Sequence, residues 1–242
     1  MDSAELSQRL SRINTLWTKM LHAHGADADA AKDAQWLLLE RYQPAVFRYL
    51  LGAVRDADVA EELAQEFALR FVRGDFRRAD RAKGRFRNYL KTALSHLVTD
   101  YHRARQEAPG ALSHEAAAPQ TPDASDDGTF VANWRQELLE RTWRALLEYN
   151  ETYHAALQLR IENPDMHSPE MAEKLTTRLG KPITAAWVRK SLERAHDKFA
   201  DLLLDEVAIS LETSTKEELE EELKELDLLK YCRAALERRK NS

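Results

Sequence analysis

The chain is short of the residues that interrupt helices. It has seven glycines and seven prolines among 242 residues, and both residue types are unfavourable inside an α-helix. Their scarcity, beside abundant Ala, Leu, Glu and Arg, points to an all-helical protein. Cysteine is nearly absent. Cys232 stands alone, which excludes an intrachain disulfide and suits a reducing compartment. No apolar run approaches the roughly 18 to 20 residues needed to span a bilayer, which excludes a membrane-spanning helix. The N-terminal stretch MDSAELSQRLSRI lacks a basic start followed by an apolar segment, so no secretory signal is expected. The expectation is a cytoplasmic protein with no membrane partner.

What is present is surface. Charged residues make up 32% of the chain and hydrophobic residues 43%. That is a globular composition, with more charge than the usual quarter. The length fits two small domains or one large one.

Apolar residues recur every three or four positions over most of the sequence. Ser3 to His22 has this pattern, and 1–27 reads as an N-terminal helical extension. A second helix begins near Ala28. Pro44 falls within it and marks a break, a kink or a fresh start. Arg55-Asp56-Ala57-Asp58 reads as a turn with an N-cap, followed by a helix with Val59, Leu63, Phe67 and Phe71 (or Leu69) inward. Another helix runs from about Phe86 to Arg105, closing a first domain over 28–105.

Residues 106–133 differ. These 28 positions hold no Lys or Arg, five acids, and Pro109, Gly110, Pro119, Pro122 and Gly128. Such a segment cannot bury enough apolar area to offset its ordering entropy, so it reads as a linker. Order resumes at Trp134. Ser168 and Pro169 open one helix, with Ser168 as its cap, and Gly180 closes it. Thr184 caps a long helix, and the second domain spans 134–205. Ser214 or Thr215 offers a capping box for one last helix carrying Leu219, Leu223, Leu226 and Leu229, within a C-terminal extension over 206–242.

Two features carry chemistry. The first is GDFRRADRAKGRFRNYLK, residues 74–91. Between Arg70 and Arg105 there are eleven bases and three acids, a local excess of eight positive charges in a chain of net charge −5. Such a stripe attracts a polyanion. Basic side chains hold phosphates, and aromatic faces such as Phe76, Phe86 and Tyr89 stack on unpaired bases for about 1–3 kcal/mol each. The plainer alternative is that these rings are core and the arginines a solvated rim. The second feature is SPEMAEKL, a glycine-containing turn, then ITAAWVRKSLERAHDKF, the pattern of a helix-turn-helix. Its second helix presents Thr184, Ala185, Trp187, Arg189, Lys190 and Arg194 toward a major groove, and Val188, Leu192, Ala195 and Phe199 toward the core. An ordinary helical hairpin is the plainer alternative here.

Taken together, these residues resemble a bacterial sigma factor of the extracytoplasmic-function (ECF) class. RYQPAVFRYLLGAVRDADVAEELAQEFALRFV is similar to the first helices of that family's region 2, and FRNYLKTALSHLVTDYHRAR to its promoter-reading helix. The segment from Trp134 to Leu204 resembles region 4, with EMAEKL and VRKSLERAHDKF as anchors. The resemblance implies two all-α domains on a flexible linker. It also implies core RNA polymerase as partner, through the β′ clamp helices and the β flap, and promoter DNA. Asp58, Glu61, Glu62, Gln65 and Glu66 would meet polymerase. Arg77, Arg78, Arg81, Lys83, Arg85, Arg87, Tyr89, Lys91, His96 and Arg103 would read and open the −10 element. Thr184, Trp187, Arg189, Lys190 and Arg194 would read the −35 element. Tyr89 stands where the family usually has Trp, and His96 where it usually has Asn. The turn at Gly180-Lys181-Pro182-Ile183 is longer than usual. The acidic linker would run toward the RNA exit channel, or act as a passive tether.

The C-terminal extension is acidic early and basic late. It reads as a helix packed on the second domain, or as a regulatory segment that masks a DNA- or polymerase-binding surface; the resemblance leaves either such self-inhibition or an anti-sigma factor as the regulator. Cys232 reads as inert packing. No catalytic residue, metal site or cofactor is expected: His96, Asp100 and His102 lack further ligands, and no phosphate-binding loop appears. A helical regulator that binds duplex DNA without polymerase, or an adaptor that binds another protein, are the alternatives.

Overall fold

The computed structural model describes residues 28–73, 86–107, 124–211 and 215–240. Among these, every regular element is a helix: α1 Ala28–Val54, α2 Ala57–Arg73, α3 Phe86–Glu107, α4 Ala124–Tyr149, α5 Glu151–Glu162, α6 Ser168–Leu179, α7 Ala185–Ala208, α8 Lys216–Glu225 and α9 Leu229–Lys240. None of the described helices is long and apolar enough to cross a membrane. The chain divides into two compact units, Met1–Glu137 with Ala208–Thr215, and Leu138–Val207 with Lys216–Ser242.

The first unit is an aromatic-rich bundle. α1 runs unbroken through Pro44. A helix-interior proline costs about 3 kcal/mol, but Pro44 sits on the exposed face, while Tyr42, Ala45, Val46, Tyr49 and Leu50 around it are buried. Burial of large side chains at about 1.5–3 kcal/mol each outweighs that loss. The α1–α2 corner is built by two residues. Arg55 takes a left-handed conformation with φ 56°, its N–H bonding back to the Leu51 carbonyl at 2.8 Å. Asp56 then caps α2, its Oδ1 accepting from the N–H groups of Asp58 and Val59 at 3.1 and 3.2 Å. α2 buries Ala60, Leu63, Phe67 and Phe71, whereas Leu69 is exposed and Val59 only half-buried. α3 buries Phe86, Leu90, Ala93, Leu94 and Leu97 on the facing side.

The acidic segment is not a linker to its end. α4 begins at Ala124, inside it. Phe130 and Trp134 are fully buried in the first unit. Phe130 meets Tyr49 edge-on at 5.4 Å, and Trp134 stacks on Tyr42 at 4.3 Å. One turn further, Glu137 is buried and paired with Arg48 at 2.7 Å. Composition missed the first ten residues of this helix because their stability comes from tertiary burial rather than from local propensity. Gly128 is accommodated within the helix, with open space around it. The segment after α7 also returns to this unit: the Phe86 N–H donates to the Ser210 carbonyl at 3.1 Å.

The second unit holds the helical hairpins. Asn150 caps α5 by accepting from the Tyr153 N–H at 3.0 Å. α6 is capped by His167 without a side-chain bond, so Ser168 is its first residue and not its cap. Gly180 ends α6 in the left-handed region, φ 64°, where a Cβ would be strained. Thr184 caps α7, its Oγ1 accepting from the Trp187 N–H at 3.2 Å. One core joins α5, α6 and α7 through Ala155, Ala156, Leu159, Met171, Ala172, Leu175 and Val188. A second gathers Leu146, Leu157, Ala195 and Leu202 with Trp143 and Phe199.

The C-terminal extension forms two helices, not one. Asp227 has φ 52°. The Leu228 N–H bonds to the Leu223 carbonyl at 2.8 Å and the Asp227 N–H to the Lys224 carbonyl at 3.0 Å. This is the paired closure that ends a helix, with Leu223 and Leu228 both buried over it. Cys232 is buried on α9, and burial pushes its thiol up to about 12. It therefore remains protonated and unreactive.

Candidate nucleic-acid and polymerase interface

α2 presents one acidic face. Because Leu63, Phe67 and Phe71 fix the buried side, the residues between them point outward. Asp58, Glu61, Glu62 and Gln65 are exposed. Glu66 is half-buried and engaged: it accepts from Arg70 Nε at 2.6 Å. Arg70 also reaches Asp100 on α3 at 3.4 Å, so it ties α2 to α3. The Arg70 guanidinium is held above its ordinary value chiefly by the Glu66 hydrogen bond; burial opposes this, and Asp100 adds to it.

On α3 the expected site residues separate. Tyr89, His96 and Arg103 recur every seven residues, about 10.5 Å apart along the axis, and so share one stripe. Tyr89 is half-exposed; His96 and Arg103 are exposed. The Tyr89 ring leans on Phe71 and Phe86, at 6.1 and 6.3 Å between centroids, which leaves it at the margin of the aromatic core. Lys91 is half-buried. Arg87 is buried, 4% exposed, and departs from the expected DNA-facing set. Two residues from Tyr89, it lies on the far side of the helix. Phe86 likewise is core and not available for stacking. Phe76, Arg77, Arg78, Arg81, Lys83 and Arg85 lie outside the described residues.

Two neighbours on the exposed stripe were missed: Thr92 and Thr99, which share the same spacing of seven. Each donates its hydroxyl to a backbone carbonyl four residues back, Asn88 at 3.0 Å and Ser95 at 2.9 Å. The signal was in the periodicity alone. His96, Asp100 and His102 form no metal cluster, and no group of three or more potential ligands occurs among the described residues.

In the second unit, Thr184, Arg189, Lys190 and Arg194 are exposed. Trp187 departs from expectation, since its half-buried ring packs against the core of α5, α6 and α7. Ile183 completes the turn, with its N–H donating to Thr176 Oγ1 at 3.0 Å. The long turn is thus pinned to α6. Val188 and Ala195 are fully buried, and Leu192 and Phe199 partly so, the inward face that the periodicity indicates.

The arrangement therefore offers an acidic helix face, an aromatic and basic stripe beside it, and a separate basic helix start behind a rigid turn. Residues 38–108, which span most of α1 and all of α2 and α3, match the family model of sigma-70 region 2. No curated protein and no solved structure matches the chain. The similarity is to sigma-70 region 2 and is confined to that stretch.

Proposed function

We propose that this chain is a sigma factor of the ECF class, combining the region 2 domain with a region 4-like helix-turn-helix. The observation that carries the reading is the region 2 match over 38–108, coinciding with the acidic face of α2 and the Tyr89–His96–Arg103 stripe. Asp58, Glu61, Glu62 and Gln65 contact polymerase. The α3 stripe and the Arg-rich segment before it hold the separated strand of the −10 element. Thr184, Arg189, Lys190 and Arg194 grip the upstream duplex at the start of α7. The protein acts in the cytoplasm, where polymerase and promoter are.

The energetics suit opening by binding alone. Unstacking a base costs a few kcal/mol, and each base restacked on an aromatic face returns about 1–3 kcal/mol. Phosphate contacts from arginines supply the remainder. The test is run-off transcription by core polymerase with and without the chain, on a library of promoter fragments. Sequence-specific transcripts that depend on the chain are expected. Specific duplex binding by the isolated chain with no effect on polymerase would instead identify a stand-alone regulator.

A further inference from the structure

α7 changes sign along one face. Lys190, Arg194, Asp197, Asp201 and Asp205 follow one another at spacings of four, three, four and four, so they form a single stripe. Its first part is basic and exposed. Its second part is a ladder of three carboxylates that starts only about 4.5 Å along the axis from Arg194. That is well inside the Debye length of about 8 Å at physiological salt. Bare, the ladder would repel the phosphates that the basic part attracts.

The C-terminal helix covers that ladder. Arg238 on α9 forks between Asp197 Oδ1 and Asp201 Oδ1, both at 3.0 Å. Arg239 reaches Asp205 Oδ1 at 2.6 Å and the Asp201 carbonyl at 3.0 Å. The Arg239–Asp205 pair is largely buried, at 16% and 10% side-chain exposure, while Arg238 is 44% exposed. The fourth acid of α7's second half is excluded from the stripe: Glu206 pairs with Arg141 of α4 at 3.1 Å. α9 is held in place by Cys232, Ala235 and Leu236, all buried, so the two arginines are delivered by a packed helix and not by a loose tail.

We propose that α9 is a charge-compensating clamp that lets α7 bind DNA: Arg238 and Arg239 offset two of the three negative charges of the acid ladder, so a duplex held by Arg189, Lys190 and Arg194 meets less repulsion beyond them. The inference rests on the upstream-duplex role given to α7 above. It makes the C-terminal extension a positive part of the DNA-binding domain, the opposite of a mask. Arg238 is a positioning residue for charge and touches no reacting group.

The test measures fluorescence anisotropy of a labelled mixed-sequence DNA duplex with the full-length chain over a KCl series. Arg238→Ala is expected to weaken binding about three- to tenfold near 50 mM KCl, and by less as salt rises. Adding Asp197→Asn and Asp201→Asn to Arg238→Ala is expected to restore binding, because it removes the charges that the arginine compensated. A loss of binding that this triple variant does not recover would mean that Arg238 merely supports the fold, and would overturn the proposal. Unchanged or tighter binding by Arg238→Ala, the outcome of a mask, overturns it too, as does a wild-type chain that fails to bind the duplex. Run-off transcription with the wild-type chain is scored separately. Its failure removes the sigma-factor reading, whereas a negative result confined to the Arg238 series leaves that reading standing.

Discussion

The indole of Trp134 lies on the ring of Tyr42, with centroids 4.3 Å apart and planes 15° from parallel. One residue comes from α4 and the other from α1, ninety-two positions earlier in the chain. Trp134 also touches Phe86 and Phe130, both at 6.2 Å. Trp134→Ala is expected to destabilise the first unit by about 3–5 kcal/mol, read as a fall in the urea midpoint. Trp134→Phe should lose less. A loss under about 1 kcal/mol for the alanine variant would mean that α4 does not dock on this core.

Gly128 tests the same helix by the opposite sign. It sits within α4 at an exposed position with open space where a Cβ would be. If the segment is helical, Gly128→Ala gains about 0.5–1 kcal/mol, seen as a small rise in Tm. In a flexible linker the same change would be neutral.

Arg87 and Arg103 stand on one helix and should behave as different kinds of residue. Arg87 is buried and Arg103 exposed. Arg87→Ala should lower stability by about 1–3 kcal/mol, because it empties a buried position. Arg103→Ala should leave Tm unchanged and lower open-complex yield at moderate salt, measured by permanganate footprinting with polymerase. Equal effects of the two variants on stability would contradict the assigned faces.

Cys232 gives a pH signature. Its thiol is pushed up from 9.0 to about 12 by burial. Between those values the unfolded chain releases the proton and the folded chain keeps it. Stability contributed by this group is therefore full below about pH 9 and falls as pH rises toward 12, at up to about 1.4 kcal/mol per pH unit. Urea melts of wild type and Cys232→Ala across that range should diverge, with the steeper loss in wild type. Native Cys232 should also resist thiol reagents until the protein is unfolded.

Local patterns carried much of the fold. The spacing of Leu63, Phe67 and Phe71 fixes the inner face of α2, and Val188 and Ala195 fix that of α7. Gly180 marks the end of α6 and Thr184 the start of α7 by chemistry that belongs to those residue types. What stayed illegible depends on distant partners. Phe130 looks unremarkable among acids and prolines until Tyr49 is placed opposite it. Pro44 looks like a break until its neighbours' burial is known. Asp227 looks helical because an aspartate in the left-handed region carries no mark comparable to glycine's. At the site, the spacing of Tyr89, His96 and Arg103 was readable, but nothing in the Arg-rich run marks Arg87 as buried. Trp187, too, is both adjacent to basic residues and part of the core.

The fork of Arg70 onto Glu66 and Asp100 has a consequence for ion counting. With Arg87 buried, two of the eleven bases between Arg70 and Arg105 are engaged within the protein, Arg70 in surface ion pairs and Arg87 in the interior. Counterion release follows phosphates neutralised, with a slope of about −0.7 per contact on a single strand. The salt dependence of strand capture by this region will therefore register a smaller cation than its sequence displays, because part of the positive charge is structural ballast that never reaches the nucleic acid.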